Sequence, residues 1–138
     1  MDAAVKYITG IHALNLPCTL ETCGDWHTSA IQWEKPFLRS SEDSIFGRYG
    51  IESNVSIPHH TEKFNAANHL RALLDLLELG QFTVAQGMRD DFICNDAYTE
   101  EIFSHVVKLK ASPLWTKIDN FMKSEYYMQW VTYEGRPS

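Results

Sequence analysis

The chain has 138 residues, 44% of them hydrophobic and 22% charged, with a formal net charge of −6. That length and balance suit a single domain, 1–138, able to bury an ordinary core, and they exclude the compositional signature of disorder. Residues 1 to 60 carry 4 basic and 7 acidic side chains and residues 61 to 138 carry 8 and 11, so each part contributes −3 and no basic block exists to hold a phosphate backbone.

Direct nucleic-acid binding is therefore not expected. The start, MDAAVKYITG, lacks the basic region and apolar run of a signal peptide, and no stretch approaches spanning length, so a cytoplasmic protein with no membrane partner is expected. Cys18, Cys23 and Cys94 are an odd number of cysteines, which argues for reduced thiols over a disulfide framework.

In chain order, Val5 to Leu14 alternates with a two-residue period and predicts a strand. Asn15 to His27 holds Pro17 and Gly24 and reads as a loop that packs Leu16, Leu20 and Trp26. Ser29 to Glu34 predicts a short second strand stopped by Pro36, and Arg39 to Pro58 a long loop with one turn near Ser44 to Tyr49. The remainder, 61–138, reads as mainly helical against a strand- and loop-rich part, 1–60.

Thr61 to Gly80 is the clearest helix. Thr61 suits its N-cap, Gly80 its end, and Leu70, Leu73, Leu74, Leu76 and Leu77 give an apolar face wide enough to need contacts on more than one side. Phe82 to Phe92 predicts a second helix weakened by Gly87, Asn95 or Asp96 caps a third that runs to Lys110, and Ser112 with Pro113 starts a fourth. Tyr126 to Tyr133, rich in β-forming types, predicts a closing strand. The expected fold is α+β, with a small antiparallel sheet from N-terminal and C-terminal strands packed on a bundle of about four helices.

The densest polar constellation is His12, Cys18, Cys23, Asp25 and His27. Two imidazoles and a carboxylate divide the roles of general base, general acid and orienter, so His12, Asp25 and His27 are the candidate catalytic residues of a small hydrolase or phosphodiester-cleaving enzyme. The same residues admit a structural reading, in which a carbonyl satisfies the His12 ring, Asp25 turns the chain over Gly24, and Trp26 fills the core. Cys18, Cys23 and His27 are a further alternative as zinc ligands, although C-x4-C-x3-H lacks the paired knuckles of structural zinc domains. No cofactor is expected.

Asn65 and His69 fall one turn apart on the expected helix, either lining a cleft or bonding to the N-terminal loop. Arg71 and Asp75 read as an exposed pair worth a few tenths of a kcal/mol. Asp90 and Asp91 read as a solvated helix end, and Cys94 as a small core residue. Trp115, Trp130, Tyr126, Tyr127 and Tyr133 concentrate aromatic surface near the C-terminus, where a partner docks or the fourth helix packs onto the sheet.

The runs YITGIHALNLP, TCGDWH, ANHLRALLDLLELG and DDFICNDAY resemble small bacterial proteins of mobile-element, defence and toxin–antitoxin-type loci, some of them beside nucleotidyltransferase-like toxins. The resemblance implies no catalytic residues. Together with a small acidic domain that lacks a catalytic signature, it implies a protein-binding regulator, antitoxin-, inhibitor- or accessory-subunit-like, acting in a stoichiometric complex; the residues themselves offer Trp26, Asn65, His69, Trp115 and Tyr127 as the candidate binding residues. The His12, Asp25 and His27 hydrolase is the competing expectation.

Overall fold

Gly10 ends the first strand. In the computed structural model, which describes residues 4–25 and 31–135, strand β1 is Lys6–Ile8 and the left-handed φ of +64° at Gly10 turns the chain into a short helix, α1, Gly10–Leu14. The strand expected over Val5 to Leu14 is thus cut to its first part, Lys6–Ile8, because α1 buries Ala13 and Leu14 and packs on the helix that follows the sheet.

Three more strands complete the sheet: β2 (Leu38–Ser40), β3 (Ile51–Ser56) and β4 (Lys63–Ala67), in the order β2-β1-β4-β3. The β1/β4 pair is parallel and both outer pairs are antiparallel, so the sheet is mixed, not antiparallel. Its strands among the described residues all lie between Lys6 and Ala67, with no C-terminal member. The segment 39–58, expected as loop, supplies part of β2, a 3-10 turn at Ser41–Asp43 and all of β3. These are edge strands with little apolar alternation, so pairing with β1 and β4 defines them where periodicity does not. Of the strand expected at Ser29 to Glu34, residues 31–34 are irregular and the rest lies outside the described residues.

The central helix, α2, is His69–Glu78. Its first expected third is β4, where Phe64 pairs with Val55 and Ala66 with Glu52, and sheet pairing overrides helical spacing there. Asn68, not Thr61, is the cap: its side chain accepts from the Arg71 backbone N–H at 2.9 Å. Gly80 ends the helix with φ +77°, as its position implied. All ten residues of α2 except Glu78 are buried. A helix enclosed on every side is what its wide apolar face required.

Gly87, at φ +94°, splits the helix expected over 82–92 into α3 (Phe82–Ala85) and a π-helical segment, Met88–Ile93. Asn95 accepts from the Ala97 N–H and opens a 3-10 turn, Asp96–Tyr98, that leads into α4, Thr99–Val106, and a second turn, Val107–Ala111. Ser112 accepts from the Leu114 N–H just ahead of α5, Trp115–Tyr126. The expected closing strand is a helix, α6, Met128–Glu134. Trp130 explains the difference, because it is fully buried, lies 5.1 Å from Phe103 between ring centroids, and donates its Nε1–H to Asp119 at 2.8 Å. The α+β class holds, with the sheet on one side of α2 and α4 against it. No described helix is long and apolar enough to cross a membrane.

Arg71 and Asp75 are not exposed. Both are fully buried, 2.9 Å apart from Nε to Oδ1, and Asp75 Oδ2 accepts from the Tyr7 and Thr9 hydroxyls at 2.7 Å each. Arg71 also donates to the Tyr7 hydroxyl and to the carbonyls of Gly47 and Tyr49, while Arg39 reaches Asp75 at 3.0 Å and Glu78 at 2.9 Å. The network ties β1, β2 and the 44–49 turn to α2, the helix that begins at His69.

Candidate functional site

Cys23 and Cys94 form a disulfide, with Cα atoms 5.9 Å apart across 71 residues of sequence. This corrects two expectations: the thiols are not all reduced, and Cys94 is an exposed bridge residue, not a core one. Parity of cysteine number carries no information on which residues the fold makes neighbours. The zinc alternative also loses a ligand, because a disulfide sulfur is no thiolate. Among the described residues, no three His, Cys, Asp or Glu side chains come together in a way that would hold a metal.

The free thiol, Cys18, faces a cavity of about 290 Å³ lined by Leu14, Asn15, Thr22, Cys23, Asp25 and His69. His69 Nε2 donates to the Leu16 carbonyl at 2.7 Å, and its Nδ1 lies 2.6 Å from the Thr22 hydroxyl. The same hydroxyl lies 3.7 Å from Cys18 Sγ, so it bridges thiol and imidazole. Burial raises the Cys18 thiol, yet hydrogen bonding to His69 and the attraction of its ring outweigh that, and the thiol lies below its ordinary 9.0. Burial likewise lowers His69, but the nearby Cys18 thiol and the bond to the Leu16 carbonyl carry it above its ordinary 6.5. The two shifts draw the thiol and the imidazole toward each other and raise the share of thiolate, the form in which a cysteine is a nucleophile.

Gly24 closes the site. Its φ is +69°, and a Cβ there would lie 2.7 Å from His69 Cε1 and 2.8 Å from the Leu14 carbonyl oxygen. Its N–H bonds to the Phe92 carbonyl at 2.8 Å, and the Asp25 N–H bonds to the Leu14 carbonyl at 2.7 Å. Thr22 at Nδ1 and Gly24 at the adjacent Cε1 thus both border one imidazole, with Cys23 between them in sequence.

The other sequence candidates fall elsewhere. His12 accepts from the Phe37 N–H through Nδ1 at 3.2 Å and donates through Nε2 to the Gln32 carbonyl at 2.9 Å, with its ring edge against Trp33. It lines a groove with Trp33, Glu34 and His59, while Asp25, which accepts from Asn15 at 3.2 Å, lines the Cys18 cavity. Trp26 and His27 lie outside the described residues. Asn65 is in β4, not on the helix with His69, and donates to the Lys6 carbonyl at 3.1 Å. His69 does bond the N-terminal loop, one of the two roles its position allowed.

Near the C-terminus, Tyr126 and Trp130 are buried, and Trp115 and Tyr133 pack against the core among helices, not onto the sheet. Tyr127 is 65% exposed and Met128 68%, with Val131 exposed beside them. Met128 and Thr132 of α6 form a groove of about 500 Å³ with Phe103, Glu100 and Asp96. Tyr127 sits at the α5–α6 junction with φ +54° and ψ −131°, a strained conformation for a residue with a side chain.

The partnership of Cys18 with Thr22 and His69 was not foreseen from the sequence. A thiol, a hydroxyl four residues on and a distant histidine were all visible, but nothing linked residue 18 to residue 69. Comparison with known protein families, with curated proteins and with solved structures found no match.

Proposed function

We propose that this chain is a protein-binding regulator, antitoxin-, inhibitor- or accessory-subunit-like, that acts in a stoichiometric complex through the face made by α4 and α6. The observation that carries the reading is Tyr127: a strained backbone that a glycine would relieve holds an exposed aromatic ring beside exposed Met128 and Val131. Aromatic and methionine side chains are the usual anchors of protein interfaces. Asp96 and Glu100 on the groove suit a basic, amphipathic segment of the partner, as does the chain's net charge of −6.

Native mass spectrometry of the protein recovered from its own cells tests this, with a heteromeric mass expected. Tyr127→Ala and Met128→Ser are expected to remove the partner while leaving the circular dichroism spectrum unchanged. Tyr127→Gly is expected to lose the partner and gain about 1 kcal/mol of stability in urea, since it relieves the strain at that position. A bare chain at native expression levels, or a complex indifferent to both substitutions, overturns the proposal.

A further inference from the structure

Cys18 and one end of the Cys23–Cys94 bridge border the same cavity at the N-terminal end of α2, independently of the α4–α6 face. Cys18 and Cys23 both line the 290 Å³ cavity with His69, whereas Cys94 does not line it and is solvent-exposed. Thr22 is bonded to His69, and Gly24 is packed on the same ring, so the Cys23 backbone is clamped against the imidazole that serves Cys18. Cys23 is therefore the bridge residue that borders the cavity with Cys18, and Cys94 is the bridge residue outside it.

We propose that Cys18 is an internal nucleophile for the Cys23–Cys94 disulfide, making this cavity a thiol–disulfide exchange site whose substrate class is a disulfide at Cys23. The Cys18 proton passes through the Thr22 hydroxyl to His69. The thiolate attacks Cys23 Sγ, the Cys18–Cys23 bond forms as the Cys23–Cys94 bond breaks, and Cys94 departs with the electron pair and takes a proton from solvent. One disulfide is made for one broken, so the step consumes neither oxidant nor reductant. The product exchanges a half-buried thiol for an exposed one, available for a mixed disulfide with a second molecule. Formation of the new bond requires the Cα atoms of Cys18 and Cys23 to come within roughly 4.4–6.8 Å. The lowered Cys18 thiol supports the step, because exchange proceeds through the thiolate.

The test uses the full-length Cys94→Ser protein, treated with oxidised glutathione. Glutathione on Cys23 takes the place of Cys94, so Cys18 is expected to displace it and leave an internal Cys18–Cys23 disulfide, seen by non-reducing peptide mapping. Adding His69→Gln is expected to slow the displacement by roughly tenfold or more, as the thiolate fraction falls. Adding Cys18→Ser is expected to leave the glutathione adduct in place. A second measurement needs no variant: the wild-type protein, held at neutral pH with N-ethylmaleimide, is expected to accumulate label on Cys94 together with a Cys18–Cys23 cross-linked peptide. A glutathione adduct that persists on Cys23 in folded Cys94→Ser overturns the proposal. So does wild-type protein in which Cys18 stays unlabelled and neither Cys94 label nor a Cys18–Cys23 peptide accumulates.

Discussion

Helix α2 carries two buried polar clusters that differ in what surrounds them. Arg71 and Asp75 are sealed: the guanidinium meets a carboxylate, a phenol and two carbonyls, and the carboxylate meets two hydroxyls and a second arginine. His69 is equally well bonded, but the cluster it anchors borders a cavity and includes a thiol. Burial and charge are common to both, so neither marks chemistry. What separates them is space for a reacting atom next to a group that can attack it.

The comparison breaks most visibly at the sealed cluster. Asp75→Ala leaves Arg71 buried without its carboxylate and is expected to cost about 3–5 kcal/mol in urea unfolding. The pair Arg71→Met with Asp75→Leu is expected to cost less than the sum of the single changes. A cost near zero for Asp75→Ala would mean that the network is not closed as described. The open cluster depends on its bridge: removing the Cys23–Cys94 disulfide, which spans 71 residues, is expected to cost about 4 kcal/mol from loop closure alone. Equal unfolding midpoints with and without a reductant would contradict that.

Gly24→Ala sharpens the contrast with a smaller effect. The added methyl meets His69 in a left-handed backbone, so a loss of about 1–3 kcal/mol is expected, with a change in Cys18 alkylation rate. A stability loss that leaves Cys18 alkylation unchanged would separate Gly24 from the thiol site. The smallest effect is in pH dependence. Because the folded thiol of Cys18 lies below 9.0, its contribution to stability is complete above 9.0 and is lost as pH falls through the lowered folded value. The alkylation rate of Cys18 should therefore rise with a midpoint below 9.0, and His69→Gln should move that midpoint up. Identical profiles in the two proteins would remove His69 as the cause.

Much of the candidate site was written in the loop from Asn15 to Asp25, where cysteines and a carboxylate gather beside a glycine. The partner histidine was not. Proximity in sequence favoured His12, yet the backbone of Phe37 and Gln32 occupies both its nitrogens, and His69 is the ring that the loop closes on. The Cys23–Cys94 bridge and the Arg71–Asp75 network were hidden for the same reason, since their meaning depends on which distant segments pack beside them. In the C-terminal region, β-forming types suggested a strand at 126–133, and burial of Trp130 against Phe103 decided for a helix.

The sequence by itself determined the α+β class, the wide apolar face of α2, its end at Gly80, a helix-start signal at Asn95 or Asp96 and the Ser112 start just ahead of α5. These are short-range matters, settled by side-chain size, a positive φ, or one hydrogen bond within a few residues. Only the tertiary structure decided that 63–67 is a strand, that 128–134 is a helix, and that Cys18, Cys23 and His69 share a cavity. Each of those depends on free energy gained from groups tens of residues away, which local propensities of a few tenths of a kcal/mol to ~1 kcal/mol do not outweigh.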